Sequence, residues 1–317
     1  MAGAGGTKGV TSLGALRTLG DWIRWTAARL DEAGVCCGHG MADTLDEAAY
    51  LVLHALGLPP EVPPPVYDTT LTAAEEAAVQ TLVRRRVEER RPAAYLTQEA
   101  WFCGLRFYVD ERVLVPRSPI AELIEENFAP WLGEEREVRR ILDLGTGSGC
   151  IAIACAYAFP DAVVDAVDIS TDALAVARHN IRRHRLMERV FPVHSDLFAA
   201  LKGRRYDLIV SNPPYVSEAE METLPREYGH EPAQGLVAAH DGLEFALRIL
   251  EGAPAHLRQD GILVVEVGAG RAPLERRLPT LPFVWLEFRR GGEGVFLLTA
   301  EDLAAHRQAI LEACRGI

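Results

Sequence analysis

Hydrophobic residues recur at helical spacing through the first third of the chain. They return every three to four positions in three blocks, which a glycine-rich stretch at residues 34–40 and a proline-rich stretch at residues 59–65 separate. This periodicity predicts three amphipathic helices. We therefore expect a small helical domain at residues 12–95, preceded by a flexible, glycine-rich tail at residues 1–11.

The pattern changes to an alternation of apolar and polar residues at positions 100–116, as in a β-hairpin. We interpret residues 96–117 as a hairpin linker between two domains. From residue 140 onward, short β-rich runs alternate with helical segments. The predicted strands lie at residues 141–144, 162–167, 190–194, 208–211, 262–267, 283–288 and 295–299.

Strands that are joined by crossover helices form a parallel sheet with helices on both faces. Only residues 289–294 join the last two predicted strands, which is too few for a crossover, so these strands must pair antiparallel. A mostly parallel sheet that ends in an antiparallel hairpin is typical of the class I S-adenosylmethionine-dependent methyltransferases, a Rossmann-like α/β fold. We expect this fold at residues 118–317, with a helical segment at residues 301–317.

The composition narrows the class of protein. The 317 residues include 45 acidic and 33 basic side chains, a net charge of −12, which gives the whole molecule no general attraction to a nucleic-acid backbone. No apolar run approaches the roughly 18 residues of a membrane span, and the chain does not begin like an export signal. The six cysteines show neither a disulfide framework nor paired zinc-ligand spacing. We expect a soluble cytoplasmic protein without a membrane partner and without a metal.

A glycine-rich run follows the first predicted strand of the sheet. Glycines there let the backbone pass close to a ligand, and the following helix offers free N–H groups at its N-terminus. The Gly-x-Gly-x-Gly spacing differs from the dinucleotide fingerprint and suits the amino-acid end of S-adenosylmethionine, which has no pyrophosphate. The residues of this candidate cofactor site are Asp143, Gly145, Thr146, Gly147, Ser148 and Gly149.

Two further aspartates stand at strand ends. Asp168 ends the second predicted strand, 19 residues after Gly149, where its carboxylate can accept hydrogen bonds from both ribose hydroxyls of a cofactor. Asp196 ends the third predicted strand, where it can meet the adenine edge. Enzymes that use nicotinamide cofactors share the first feature, and either residue could instead be a loop-capping aspartate.

The acceptor tetrapeptide, Asn212-Pro213-Pro214-Tyr215, follows the fourth predicted strand and faces the same cleft. A planar amide or amino nitrogen is a poor nucleophile, because its lone pair is delocalised, so a transferase must hold its hydrogens and aim the nitrogen. The Asn212 side-chain carbonyl and the Pro213 main-chain carbonyl can each accept one hydrogen bond, and Tyr215 can stack on a flat group. The prolines restrict the backbone and so hold these carbonyls in a fixed orientation. Asn212, Pro213 and Tyr215 are therefore the predicted catalytic residues.

This tetrapeptide resembles that of methyltransferases whose acceptors are planar nitrogens, either adenine or protein glutamine. Its flanks resemble the protein-glutamine N5-methyltransferase family. The run Pro116-Arg117-Ser118-Pro119-Ile120 is similar to the branch that modifies large-subunit ribosomal protein L-three, whereas the release-factor branch carries Pro-Arg-Pro. The resemblance covers roughly residues 12–305.

The resemblance implies S-adenosylmethionine as the cofactor and ribosomal protein L-three, free or in an assembling large subunit, as the partner. It places the cofactor on residues 145–149, Asp168 and Asn212, with Leu197 near the adenine. It places the acceptor glutamine on the acceptor tetrapeptide, including Pro214, and on Arg117, and it assigns substrate binding to the N-terminal helices. The resemblance does not indicate which glutamine of the partner is modified or whether this protein forms oligomers.

Other readings stay open at this stage. The protein could modify a release factor instead, or it could be an adenine-N6 nucleic-acid methyltransferase, although the charge of −12 and the lack of a basic base-reading domain oppose sequence-specific nucleic-acid binding. A non-catalytic assembly module is a third reading. The basic run Arg84, Arg85, Arg86, Arg90 and Arg91 is either a solvated helix face, partnered by neighbouring glutamates, or a contact to an RNA-rich partner.

Overall fold

The computed structural model describes residues 16–133 and 136–315. The chain divides into two units, residues 1–97 and residues 98–317. The glycine-rich tail predicted at residues 1–11 lies outside the described residues. Both boundaries of the predicted hairpin linker stay predictions.

The first unit is helical, as the periodicity predicts. Its helices are α1 (Leu19–Glu32), α2 (Thr44–Ala55), α3 (Ala73–Glu89) and α4 (Ala93–Thr97). Their apolar faces meet in one core, which includes Trp22, Leu30, Leu51, Val52 and Val79. The helix α3 begins in a capping box, because Thr72 N–H donates to Glu75 at 2.7 Å while the Thr72 hydroxyl accepts from Glu75 N–H at 3.3 Å.

The basic run of α3 is only partly a solvated face. Arg85 donates to Glu89 at 2.9 Å on the helix surface, as that reading expects. Arg86, in contrast, is fully buried and forms an ion pair with the buried Glu47 of α2, with Nε 2.5 Å from Oε1. Arg90 donates to the carbonyl groups of residues 33 and 34 just after α1. Two of the five arginines therefore hold the helices of this unit together.

The second unit begins with the predicted hairpin, formed by β1 (Ala100–Phe102) and β2 (Leu105–Phe107). Its seven-stranded sheet has the order β5-β4-β3-β6-β7-β9-β8, in which the first five strands are parallel and β9 is antiparallel to β7 and β8. The predicted closing hairpin is confirmed. The strands are β3 (Arg140–Leu144), β4 (Val163–Asp168), β5 (Val190–His194), β6 (Tyr206–Ser211), β7 (Leu257–Glu266), β8 (Val284–Trp285) and β9 (Val295–Thr299).

Helices cover both faces of this sheet, and the helical tail is confirmed through residue 313. The helices are α5 (Ile120–Glu125), α6 (Cys150–Ala158), α7 (Thr171–Arg183), α8 (Glu218–Met221), α9 (Ala233–Leu236), α10 (Glu244–His256), α11 (Arg271–Arg277), α12 (Ala300–Ala305) and α13 (Arg307–Ala313). Successive strand residues alternate between two cores: Ile141 and Leu208 pack with α5 and α6, while Leu142 and Ile209 pack with α10 and α13.

The strand order reverses at β3, which lies between β4 and β6. Parallel sheets open a crevice at the carboxyl ends of the strands at such a switch point. The glycine-rich run, the two strand-end aspartates and the acceptor tetrapeptide all follow strands at this edge. Among the residues that the structure describes, no helix is both long and apolar enough to cross a membrane.

Candidate active site

A cleft of about 550 Å³ opens at the carboxyl edge of the sheet. It is lined by segments that follow β3, β4, β5 and β6, and by loops that precede α5 and α9. Most of the predicted site residues line it, namely Arg117, Gly145, Thr146, Gly147, Ser148, Asp168, Asp196, Leu197, Asn212, Pro213, Pro214 and Tyr215. The structure therefore brings residues that are up to 98 positions apart, from Arg117 to Tyr215, into one cavity.

Residues 145–149, the glycine turn, connect β3 to α6. Gly145 and Gly149 have φ values of 71° and 82°, in the left-handed region that favours glycine. Thr146 N–H donates to the Val167 carbonyl at 2.8 Å, which ties the turn to the end of β4. Gly149 also packs closely on α7, since a Cβ there would lie 3.3 Å from the Ala177 Cβ. The turn is thus a rigid floor of backbone beside the N-terminus of α6.

Two predicted cofactor residues, Asp143 and Gly149, are not among the residues that line the cleft, and Asp143 lies beneath the glycine turn. It is fully buried, and its Oδ2 accepts from the Thr146 hydroxyl at 2.5 Å and from Ala152 N–H at 3.1 Å. Burial raises the pKa of this carboxyl to about 7. Asp143 therefore shapes the turn from below, whereas the sequence led us to expect a direct cofactor contact.

Asp168 is the last residue of β4 and lines the cleft. Its Oδ2 accepts from Gly147 N–H and its Oδ1 from Ser170 N–H, both at 2.9 Å. Burial raises the pKa of this carboxyl, against the lowering effect of these two donors. A carboxylate oxygen has more than one lone pair, so each can accept a further hydrogen bond from a vicinal diol.

Asp196 and Leu197 line the cleft beyond β5. The Asp196 carboxylate accepts from Arg248 of α10 at 2.7 Å, and its side chain is 45% exposed. Leu197 is half-buried and has a φ of 43°. The two residues thus form one wall together with Arg248, which the sequence reading did not find.

The acceptor tetrapeptide lies directly against the glycine turn. A Cβ placed on Gly145 would lie 3.8 Å from the main-chain carbonyl oxygen of Asn212 and 3.9 Å from the Pro213 Cα. The Ser211 hydroxyl donates to the Leu144 carbonyl at 2.8 Å, which joins the ends of β6 and β3 immediately before both segments. The two segments that the sequence assigned to cofactor and acceptor are therefore adjacent.

Tyr215 is fixed by a buried carboxylate. Its hydroxyl donates to Glu266 Oε1 at 2.8 Å, and the Ser118 hydroxyl donates to Glu266 Oε2 at 2.5 Å. Burial raises the pKa of Glu266, while these two donors favour its charged form. The Tyr215 ring also lies against Gly268, where a Cβ would come within 2.7 Å of the ring. Little freedom is left to the aromatic ring.

Arg117 is held by a second buried carboxylate. Its Nη1 and Nη2 atoms lie 2.6 and 2.7 Å from the two carboxylate oxygens of Glu231, which also accepts from Val115 N–H at 3.0 Å. The guanidinium lies over the Tyr228 ring, 5.4 Å from its centroid. Arg117 thus joins two segments of the cleft wall.

Sequence reasoning missed Glu231, Glu266, Ser118 and Arg248 as parts of this site. Glu266 left a signal, because it interrupts an apolar strand that continues to Val267. A charge in such a position points to a buried partner. Glu231 and Arg248 left none, because their partners come from segments distant along the chain.

The matching family models and the sequence relatives are methyltransferases, in agreement with this architecture. The family models that match are "Methyltransferase small domain" at residues 126–227 and "PrmC N-terminal domain" at residues 21–97. A ribosomal protein uL3 glutamine methyltransferase from Xylella fastidiosa is 52% identical, over 93% of this chain and 94% of its own length. The protein of the same name from Bordetella pertussis is 50% identical, over 91% of this chain and 97% of its own length. A crystal structure of a methyltransferase from Pyrococcus furiosus covers 62% of this chain and 89% of its own, with 22% identity and a TM-score of 0.46.

The fold and this cleft define a class I methyltransferase that uses S-adenosylmethionine. The glycine turn, the strand-end carboxylate and the adjoining acceptor segment are the parts that such an enzyme needs. The chain belongs to the family of ribosomal protein uL3 glutamine methyltransferases.

Proposed function

We propose that this protein transfers a methyl group from S-adenosylmethionine to the side-chain nitrogen of a glutamine in ribosomal protein uL3, in the cytoplasm. The observation that carries the proposal is the contact between the acceptor tetrapeptide and Gly145 of the glycine turn. It supports the proposal because the segment that carries the predicted carboxamide acceptors lies beside the segment assigned to the methyl donor. The same fold would serve a free uL3 chain or one in an assembling particle.

The residues of the cleft fit the donor. Gly145 and Gly147 add no side chain to the floor of the cleft, and Asp168 retains lone pairs for a ribose diol. Residues 145–148 and Asp168 would hold the cofactor, with Asp196 and Leu197 near its adenine, while Asp143 acts through Thr146 and Gly149 packs the turn on α7. When bound, S-adenosylmethionine supplies an electrophilic methyl group on a positively charged sulfur.

The acceptor tetrapeptide would orient the glutamine. The Asn212 side-chain carbonyl and the Pro213 main-chain carbonyl each accept one N–H of the carboxamide, which aims the nitrogen lone pair across the cleft. As the C–N bond forms, the methyl–sulfur bond would break with its electron pair left on sulfur, giving S-adenosylhomocysteine. The nitrogen becomes positive, and the two carbonyl dipoles stabilise that charge. One N–H proton then leaves to water. Tyr215, fixed by Glu266, supplies a flat surface beside the carboxamide.

Arg117 contributes to the acceptor side as a part of the wall. Both terminal nitrogens are already bonded to Glu231, so we assign it to holding the segment around Tyr228 rather than to pairing with a substrate carboxylate. The glutamine-bearing segment would pass along this wall.

The decisive experiment supplies labelled methyl donor together with one of three acceptors: purified uL3, a release factor, or a DNA duplex. We expect label only in uL3, and tandem mass spectrometry should place one added methyl group on a glutamine side chain. Label on the release factor would indicate the related activity, and label on adenine would indicate a nucleic-acid methyltransferase. Either of those results, without labelled uL3, would contradict the proposal.

A further inference from the structure

The second half of α7 and the turn that follows it carry four arginines, Arg178, Arg182, Arg183 and Arg185, all of them exposed. We call them the α7 arginine patch. No aspartate or glutamate occurs between residues 173 and 187, although acidic residues outnumber basic ones in the chain by 45 to 33. The patch is therefore a local reversal of the overall charge.

The four arginines form no ion pair within the described part of the chain. Several other surface arginines of the same unit do pair, for example Arg112 with Asp110, Arg204 with Asp165 and Arg258 with Asp207, whereas isolated ones such as Arg276 and Arg307 do not pair with any described residue. Unpaired cations at this density repel one another, since Arg178 and Arg182 are neighbours at i, i+4. A negatively charged partner would relieve this repulsion.

The helix dipole accounts for only part of the patch. Arg182 and Arg183 lie in the last turn of α7, where cations interact favourably with the carbonyl end of the helix. Arg178 lies one turn earlier, and Arg185 lies beyond the helix in a left-handed conformation, with a φ of 60°. Arg178 is too far from the end of the helix to gain much from the dipole, so the dipole does not explain all four arginines.

Aromatic rings border these arginines. Tyr157 is 47% exposed, and its ring centroid lies 5.8 Å from that of His184, in the middle of the basic sequence. The exposed His179 has its ring centroid 4.8 Å from that of Tyr108. Exposed rings near a basic sequence match unpaired nucleotides, because a ring can stack on a base while a guanidinium fork binds a phosphate.

We propose that the α7 arginine patch binds the phosphate backbone of single-stranded RNA. This inference rests on the proposed function, in which the acceptor is a ribosomal protein, and it identifies an RNA-containing particle as the setting of the reaction. An acidic peptide would neutralise the arginines but would offer no base to stack on the exposed side of Tyr157 or His179. The helix α7 begins just after Ser170 at the cleft, and at 1.5 Å per residue the patch starts about 12 Å along it. RNA bound there leaves the cleft open.

The test is a titration of the full-length protein into a fluorescent, unstructured 20-nucleotide RNA, followed by anisotropy. A variant with Arg178→Gln, Arg182→Gln, Arg183→Gln and Arg185→Gln is compared with a control that also loses four positive charges, at exposed positions elsewhere: Arg24→Gln, Arg276→Gln, Arg307→Gln and Arg315→Gln. We expect at least tenfold weaker binding by the patch variant and less than a twofold change in the control. If the parent protein makes four phosphate contacts, raising the salt concentration from 50 to 200 mM should weaken its RNA binding about 50-fold.

Equal losses in both variants would show a net-charge effect and overturn the proposal, as would undetectable RNA binding by the parent. Equal affinity for polyglutamate or for anionic lipid vesicles would overturn the RNA assignment. Methyl transfer to purified uL3 without RNA is measured in parallel, and the patch variant should keep it within about twofold. If the parent itself failed to methylate purified uL3, that result would contradict the proposed function but not RNA binding by the α7 arginine patch.

Discussion

Asn212 is the residue on which the proposed chemistry depends most directly. Replacing it with alanine removes one of two carbonyl acceptors but leaves the glycine turn and Asp168 intact. We predict that Asn212→Ala lowers kcat by about 100-fold, as loss of one oriented dipole does elsewhere, while the affinity for the product S-adenosylhomocysteine changes less than about threefold. Steady-state kinetics and calorimetry measure the two quantities.

Asn212→Asp is the matched variant, because it keeps an acceptor oxygen of the same shape. We expect it to retain more turnover than the alanine variant. If Asn212→Ala turned over within about threefold of the parent, the assigned role would be wrong.

The buried Asp143, beneath the glycine turn, makes the free energy of unfolding depend on pH. Its folded pKa is about 7, well above the ordinary value of 3.8, because burial disfavours the charged form. Between about pH 4 and pH 7 the folded state therefore holds a proton that the unfolded state has lost. The free energy of unfolding must fall as the pH rises through that window, by at most about 1.4 kcal/mol per pH unit for one proton.

The isosteric Asp143→Asn variant cannot titrate and should lack this component. Urea unfolding of both proteins at pH 5, 6, 7 and 8 gives the difference in unfolding free energy. We expect the parent to lose stability relative to the variant up to about pH 7 and no further at pH 8. A difference that is constant over the whole range would show that Asp143 is ionised in the folded protein throughout.

At the scale of single elements, the acceptor tetrapeptide is held in place by the loop before α10. Gly242 has a φ of 81°, and a Cβ there would lie 2.1 Å from the Tyr215 carbonyl oxygen. Gly203 has a similar φ of 78°, but nothing lies within 4 Å of its Cβ position. Both glycines have a positive φ, which would strain an alanine at either position. Only Gly242 also has an atom in close contact with the Cβ position.

Gly242→Ala must therefore displace Tyr215, whereas Gly203→Ala only introduces a strained backbone. We predict that Gly242→Ala lowers kcat by about 10- to 100-fold, because small displacements of positioning groups have effects of that size. Gly203→Ala should stay within about twofold, with both proteins first checked for folding by circular dichroism. Similar activities of the two variants would show that the contact with Tyr215 does not position the acceptor site.

The helices α2 and α3 are joined by a buried ion pair. Arg86→Leu leaves the buried Glu47 carboxylate without this partner, and we predict a loss of about 3–5 kcal/mol in unfolding free energy. The neighbouring exposed Arg84→Leu should change it by no more than about 0.5 kcal/mol. Denaturant unfolding measures both. The double variant Arg86→Leu with Glu47→Leu should recover most of the loss, and failure to do so would assign the effect to packing rather than to the stranded charge.

At the scale of the whole molecule, the structure places the candidate cofactor site within the second unit. Adding S-adenosylhomocysteine should therefore slow amide hydrogen exchange in residues 145–149 and 168–170, because a ligand that binds only the folded state suppresses local opening. Exchange in α1 and α3 should not change. Mass spectrometry of peptic fragments measures this, and Asp168→Ala should reduce the protection. Protection confined to the first unit would place the cofactor elsewhere.

The sequence by itself determined the elements and their chemistry. Apolar periodicity of 3.6 or 2 residues reflects which face of a helix or strand is buried, so three N-terminal helices and a parallel sheet with a closing hairpin were predictable. The edge at which Gly145, Asp168 and Asn212 meet was predictable as well, because parallel strands all end on one side. These features depend on spacing along the chain.

Only the tertiary structure decided which side chains are paired across long separations. Asp143 was expected to touch a ligand but lies beneath the turn, and Arg86 was expected on the surface but is buried against Glu47. The carboxylates that hold Arg117 and Tyr215 lie 114 and 51 residues away from them along the chain. The ionic and hydrogen-bonding partner of a polar side chain depends on the packing of distant segments, and local periodicity carries no information about that packing.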